Sequence, residues 1–356
     1  MTAPAVGRAQ VIGTGLIGGS IGLALRARHW HVSGVDRDPD RARRALEVGA
    51  VDRVGDVGEA DITFVATPAR SVGEAARRAL DAGGVVTDVA GVKAAVVDAL
   101  PHPRFVGGHP MAGSEQAGLD GADADLFIGA TWVLTPTEST DAASYATVQS
   151  VAAGLGALVV AVPPRRHDDL VALVSHVPHL AAATLMNLAS ESALEHGTLL
   201  RLAAGGFRDM TRVAAGHPAI WPDLCADNRV AILAALDRLI SELATVREVV
   251  EGGDRDDLLK LLSRASEARR NLPAGAPPPG QSVEVRVPVP DRPGVLAEVT
   301  TLLAEVGVNV YDIELAHSAE GERGVLVMVV SASAVPLVRE ILAGRGYRLS
   351  ASRPGS

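Results

Sequence analysis

QVIGTGLIGGS, residues 10–20, places Gly13, Gly15 and Gly18 in the spacing G-x-G-x-x-G. An apolar run, AQVIG, leads into it, and a helical pattern, IGLALRAR, leads out. In that setting the first glycine permits a tight turn and the second lets a pyrophosphate approach the backbone. The third lets helix and strand pack closely, and the helix N-terminus faces the phosphates. Gly13, Gly15, Leu16, Ile17 and Gly18 are therefore candidate cofactor-binding residues. The next apolar run, HVSGVD, ends in Asp36, placed to hydrogen-bond ribose hydroxyls and to repel a 2′-phosphate. NAD is thus expected over NADP, although the neighbouring Arg37 argues the other way because an arginine pairs with phosphate.

Outward from this turn, apolar runs alternate with helical patterns as far as Pro163-Pro164. HVSGVD, ITFVATP, VVTDVAG, FVGGHP, TWVLTP and LVVAVPP read as strands, with PDRARRALEVG and VGEAARRALDAG among the helices between them. The alternation predicts an α/β, doubly wound Rossmann-type domain over 1–164, its sheet parallel and covered on both faces. Over 165–272 strand signals vanish. Patterns such as DDLVALVSHVPHLAAATLMNLASESAL and ADNRVAILAALDRLISELATVREVVEGG predict an all-α domain. Several of its Ala- and Leu-rich faces exceed what one small domain covers, which predicts burial against a symmetry mate in a homodimer. A Pro/Gly linker follows over 273–282, within NLPAGAPPPGQS. Over 283–352 the order strand, helix, two hairpin strands, helix, strand predicts a split βαβ domain.

Composition narrows the function classes. The chain has 356 residues, 47% hydrophobic and 21% charged, which describes globular domains with real cores. A net charge of −9, 3% aromatics and no basic run argue against a nucleic-acid partner. A single cysteine, Cys225, excludes an internal disulfide framework and a thiolate metal cluster. MTAPAVGRAQVIGTG shows no secretory pattern, and the apolar stretch LVALVSHVPHLAAATLMNLA carries two His, a Pro and an Asn. A buried helix fits that stretch better than a membrane span, so a cytoplasmic protein without a membrane partner is expected.

Chemistry gathers at the strand ends. FVATPAR brings Thr67 and Pro68 to the ligand crevice, and VTDVAGVKAAV brings Asp88 and Lys93. GGHPMAGSE, residues 107–115, ends the next strand on the same edge, where a nicotinamide ring would lie. His109 there is a candidate base for a hydroxyl proton, with bare glycines beside it and Pro110 stiffening the exit. In SHVPHL, His176 and His179 share a helix face at i, i+3, and Pro178 is expected to kink the helix. No carboxylate or cysteine pattern completes a metal site around them, so a polar contact to substrate or a satisfied buried histidine remain the readings. GGFRDMTRVA sets Asp209 and Arg212 at i, i+3, the acid able to position a guanidinium that grips a carboxylate. Trp221, in HPAIWPD, reads as a pocket wall.

Together GTGLIGGS, GGHPMAGSE, SHVPHL and GGFRDMTR, in this order, resemble the prephenate dehydrogenase family, which includes cyclohexadienyl and arogenate dehydrogenases; the resemblance spans residues 8 to about 270. DRPGVLAEVTTLLAEVGVNV looks like an ACT domain, a regulatory amino-acid-binding module. The resemblance implies that His109 hydrogen-bonds the ring hydroxyl of prephenate or arogenate and that Glu115 stands near the site entrance. It implies that His179 and Arg212 hold carboxylates, that Asp209 supports the arginine, and that Trp221 lines the pocket near the dimer mate. The family usually has a serine where this chain has Gly91, so a backbone N–H or a water must replace a hydroxyl that contacts cofactor and substrate. The ACT resemblance implies feedback regulation by tyrosine or phenylalanine. Asp291, Pro293, Gly294, Val295 and Asn309 are the candidate ligand contacts, because the N–H groups at the start of that helix can receive a carboxylate. Two other readings differ in class. A β-hydroxyacid dehydrogenase relies on a lysine in its helical part, and none occurs here before Lys260; a non-enzymatic nicotinamide sensor would not turn over prephenate.

Overall fold

Runs of Val, Ile and Phe at the chain's start have no polar face to offer solvent, and the fold buries them. In the computed structural model, which describes residues 7–55, 58, 60–113, 116, 118–195, 198–216, 218–270, 282–290, 292–317 and 323–352, Val11, Val32, Ile62, Phe64 and Val106 are fully enclosed. They belong to β1 (Arg8–Ile12), β2 (His31–Val35), β4 (Ile62–Val65) and β6 (Phe105–Pro110). With β3 (Arg53–Val54), β5 (Val85–Asp88), β7 (Thr131–Thr135) and β8 (Leu158–Ala161) they form an eight-stranded sheet in the order β3-β2-β1-β4-β5-β6-β7-β8. The reversal of order at β1 and β4 is the doubly wound signature. Helices α1 (Leu16–Arg26), α2 (Pro39–Glu47), α3 (Ala69–Ala82), α4 (Ala94–Asp98) and α5 (Ala142–Gly154) connect the strands. Their starts follow local chemistry: Asp38 accepts from the Asp40 and Arg41 N–H groups with Pro39 opening α2, and Asp141 accepts from the Ser144 N–H.

The sheet is not wholly parallel as the alternation predicts. β6 and β7 run antiparallel, His109 opposite Val133 and Pro110 opposite Trp132. Among the described residues only a 3₁₀ turn (Gly118–Gly121) lies between these two strands, and a parallel neighbour needs a longer crossover. Trp132, fully buried against Phe64 and Phe127, anchors that side of the core. β3 is a two-residue strand too short to leave a periodic signal.

After the sheet come α6 (Pro164–Val171), a π-helical turn (Ala172–His176), α7 (Val177–Glu195), α8 (Gly205–Thr211), α9 (Trp221–Asp227), α10 (Arg229–Gly252) and α11 (Arg255–Arg270). Pro178 does not interrupt the helical run, which continues as α7 to Glu195. Proline brings no N–H, and the widened turn just before it takes up the mismatch, the Val177 N–H reaching the Ala172 carbonyl. Nor is this apolar run buried within the chain: Leu170, Leu173, Val174 and Leu188 are exposed, as are Ile220, Val230 and Ile240.

Two compact units divide the chain, Met1–Glu242 and Leu243–Ser356. In the second, β9 (Ser282–Pro290), α12 (Val295–Glu305), β10 (Val310–His317), β11 (Arg323–Ser331), α13 (Val335–Gly344) and β12 (Ser350–Ser352) follow in the predicted order. They make an antiparallel sheet ordered β10-β11-β9-β12. Val285, Val287, Leu303, Leu326 and Met328 fill the space between sheet and helices. The predicted linker lies outside the described residues apart from Ser282.

Candidate active site

Because β1, β2, β4, β5 and β6 are parallel, the turns that follow them share one edge of the sheet. The first turn is shaped as its glycines require. Gly13 has φ 95°, and a methyl group there would strike the Ala66 carbonyl. A methyl at Gly18 would strike the Gly13 carbonyl, whereas Gly15 has nothing within 4 Å. Leu16 and Ile17 open α1, whose start carries no side-chain cap, so its first N–H groups are left for an anion. Asp36 closes the cradle. One of its oxygens accepts from the Thr14 N–H at 2.8 Å and the Thr14 hydroxyl at 3.1 Å; the other accepts from the Asp38 N–H at 3.0 Å. Arg37 beside it is exposed. Thr67 and Pro68 follow β4, and the buried Thr67 hydroxyl has no partner among the described residues. An open glycine, an acid at the ribose position and an orphaned hydroxyl fit a dinucleotide laid along this edge.

Asp88 is turned inward rather than toward a cofactor. It is fully buried, one oxygen accepting from the Gly108 N–H at 3.1 Å and the other from the Ala90 N–H at 3.0 Å and the Lys93 ammonium. Lys93 also donates to the Gly108 carbonyl at 2.7 Å. Burial lowers the Lys93 pKa, while Asp88 works against that shift. A buried carboxylate needs such partners, and with its side chain closed to solvent the pair pins the His109 strand to the turn after β5.

On that strand His109 is held by a chain of polar groups. Its Nδ1 lies 2.8 Å from His167 Nε2, and His167 Nδ1 lies 2.8 Å from Asp168 Oδ1. The two rings meet edge to face at 72°. Asp168 also accepts the Lys93 N–H at 2.7 Å and the Ala94 N–H at 2.9 Å. The Asn228 amide donates to the Asp168 carbonyl at 2.9 Å and stands 3.2 Å from His176 Nδ1. Burial pushes the Asp168 carboxyl up, but the bonds from His167, Ala94 and Lys93 outweigh it and hold the acid ionised. Burial, reinforced by Lys93, His167 and His176, pulls the His109 pKa to about 3, so its ring is neutral at working pH. On its other side, a carbon attached at Gly91 would stand 3.9 Å from His109 Nε2.

The helical segment contributes a second cluster. His179 stacks on Trp221 with ring centroids 3.6 Å apart, and His176 meets the same indole edge-on at 6.2 Å. Burial lowers the His176 pKa to about 4 and lowers that of His179 as well. His176 is thus the satisfied buried histidine, and His179, half-exposed, is the one that can meet a ligand. Asp209 and Arg212 are both exposed and form no ion pair with each other among the described residues. The α-helical register that would align them ends at Thr211, and Arg212 starts a 3₁₀ turn. No group of three metal-binding side chains occurs among the described residues. Glu115 lies outside them.

In the second unit Gly294 starts α12 with φ 88°, Pro293 and Asn309 are exposed, and Asp291 lies outside the described residues. Val295 is buried in the domain core, and its N–H donates to the Arg292 carbonyl at 3.4 Å. Arg292 donates to Glu298 at 2.5 Å beside Tyr347.

His167, Asp168 and Asn228 are the residues that sequence reasoning missed. RRHDDL reads as the start of a helix, and no spacing ties position 167 to position 109 across a separation of 58 in sequence.

The geometry agrees with what the chain is similar to. The prephenate dehydrogenase nucleotide-binding domain matches residues 21–162, the prephenate dehydrogenase dimerization domain residues 163–264, and the ACT domain residues 283–344. A prephenate dehydrogenase of Bacillus subtilis is 35% identical over 333 residues, 88% of this chain and 89% of that one. The prephenate dehydrogenase of A. aeolicus, solved with hydroxyphenyl propionate and NAD+, superposes with a TM-score of 0.70 at 27% identity over 76% of this chain and 100% of that chain. Synechocystis arogenate dehydrogenase does so at 0.66 and 32%, over 74% of this chain and 98% of that chain.

Proposed function

The chain belongs to the prephenate dehydrogenase family, and on that footing we propose that it oxidises and decarboxylates prephenate to 4-hydroxyphenylpyruvate with NAD, in tyrosine biosynthesis. One observation carries the reading: a neutral histidine, tied through Nδ1, stands at the same edge of the sheet as an open glycine cradle. NAD, when bound, supplies the hydride acceptor. His109 takes the hydroxyl proton at Nε2 as the ring alcohol becomes a ketone. The developing ketone draws electrons from the ring carboxylate, and carbon dioxide leaves as the ring becomes aromatic. Arg212, exposed and outside any ion pair among the described residues, holds a substrate carboxylate; His179, fixed by its stack on Trp221, holds another polar edge. Asp36 favours NAD because a 2′-phosphate beside its carboxylate is repelled. Exposed Leu173, Val174, Leu188 and Val230, within the segment matching a dimerization domain, support a homodimer. The family resemblance alone makes Glu115 a candidate acid near the entrance and Asp209 a candidate support for Arg212. The ACT domain supports feedback control by tyrosine or phenylalanine at the start of α12.

The test is NADH and NADPH formation with prephenate, arogenate and a β-hydroxyacid offered separately. The reading expects prephenate with NAD to give the highest kcat/KM. Preference for arogenate would make the chain an arogenate dehydrogenase yielding tyrosine directly, and turnover of the β-hydroxyacid alone would end the reading.

A further inference from the structure

We propose that Asp168 and His167 are positioning residues that fix the tautomer of His109, so that the lone pair of the base lies on Nε2. The inference rests on the reading of His109 as the base and adds two residues from a different element, α6. The argument follows the donors. Asp168 is ionised and can only accept, so the proton it shares with His167 is carried on His167 Nδ1, 2.8 Å away. With that single ring proton on Nδ1, the proposal places the His167 lone pair on Nε2. That atom is 2.8 Å from His109 Nδ1, so His109 must carry its proton there to make the contact a hydrogen bond. The remaining lone pair of His109 is on Nε2, the atom facing Gly91. Without this chain the ring could carry its proton on Nε2, where it would donate to a substrate hydroxyl rather than accept from it.

Asp168 is itself held rigidly. Its two oxygens take the N–H groups of Lys93 and Ala94, at the end of the turn after β5, and its carbonyl takes Asn228. His167 is almost fully buried, so water does not compete for its ring nitrogens. During the reaction the substrate O–H bond breaks and an N–H bond forms at His109 Nε2. The resulting imidazolium keeps its Nδ1 proton on His167, and the Asp168 charge stabilises it through that ring. Neither Asp168 nor His167 needs to change protonation.

Two readouts separate this from a merely structural role. Nitrogen-15 spectra of the histidine-labelled full chain, with His109 assigned by its loss in His109→Asn, are expected to show a protonated Nδ1 and a bare Nε2 at neutral pH. His167→Phe cannot accept from Nδ1, and is expected to move the proton to Nε2 and to lower kcat on the order of 10²-fold, with NAD affinity unchanged. His167→Gln offers a carbonyl in place of the lone pair and is expected to recover most of that loss. A protonated Nε2 in the wild-type ring would overturn the proposal, as would wild-type kcat in His167→Phe or a glutamine variant no better than phenylalanine. The wild-type spectrum needs neither substrate nor a variant of His167. It therefore stands even if prephenate proves not to be turned over or if His167→Phe does not fold.

Discussion

The two sides of the candidate site are built on opposite principles. Around His109 the charged groups are answered from within the chain: Lys93 by Asp88 and a carbonyl, and Asp168 by His167 and two amides. Arg212, by contrast, has no ion pair among the described residues. The arginine and Asp209 lie exposed on a segment that also presents Met210, Val213 and Ile220 to solvent. A base must be correctly oriented before substrate arrives, so its surroundings are complete in advance. On the proposed reading, a carboxylate clamp is completed by the carboxylate and an apolar face by a second chain.

Breaking the enclosed side should produce the largest effects. His109→Asn is expected to lower kcat by about 10²–10⁴-fold while NAD affinity, followed by fluorescence titration, holds. Near-normal kcat would remove His109 from the chemistry. Lys93→Met leaves Asp88 charged and uncompensated in the core, a change that typically costs about 3–5 kcal/mol. Chemical denaturation should register it, and unchanged stability would mean that Asp88 takes up a proton or a water at little cost. On the open side, Arg212→Ala is expected to raise KM for prephenate with little change in folding. Loss of a desolvated charge pair costs roughly 2–5 kcal/mol, and an unchanged KM would return the residue to ordinary surface. The mildest perturbation is acid. His109 and His176 titrate at about 3 and about 4 in the folded chain, against 6.5 unfolded. Below pH 6.5 the unfolded chain therefore binds protons the folded one refuses, and stability falls as pH drops toward 4. Melting temperatures should fall across that range, with a shallower slope in His109→Asn. Equal slopes would place the acid sensitivity elsewhere.

What was legible in the sequence follows the same division. The glycine turn, Asp36 and the strand ending in His109 are local signals, each read from a few neighbouring residues and a known sheet rule. The split βαβ order of the second unit was readable for the same reason. The antiparallel β6–β7 pairing was not, because direction depends on how a long connection returns, and no local pattern records that. The π-helical turn before Pro178 was not, because proline predicts a disturbance without fixing how the helix absorbs it. The His109–His167–Asp168 chain was hidden most completely. Its members come from a strand and a helix far apart in sequence, and a histidine followed by aspartates at a helix start has an ordinary capping explanation. Conversely, the place of Asp88 at a strand end predicts a ligand contact, whereas burial and Lys93 give it a structural task.

The most direct test of the account is a turnover balance for the wild-type chain given NAD and prephenate. NADH and carbon dioxide should appear in equal amounts, and both should collapse together in His109→Asn. NADH without matching carbon dioxide, or a His109→Asn enzyme that releases both at the wild-type rate, would contradict it.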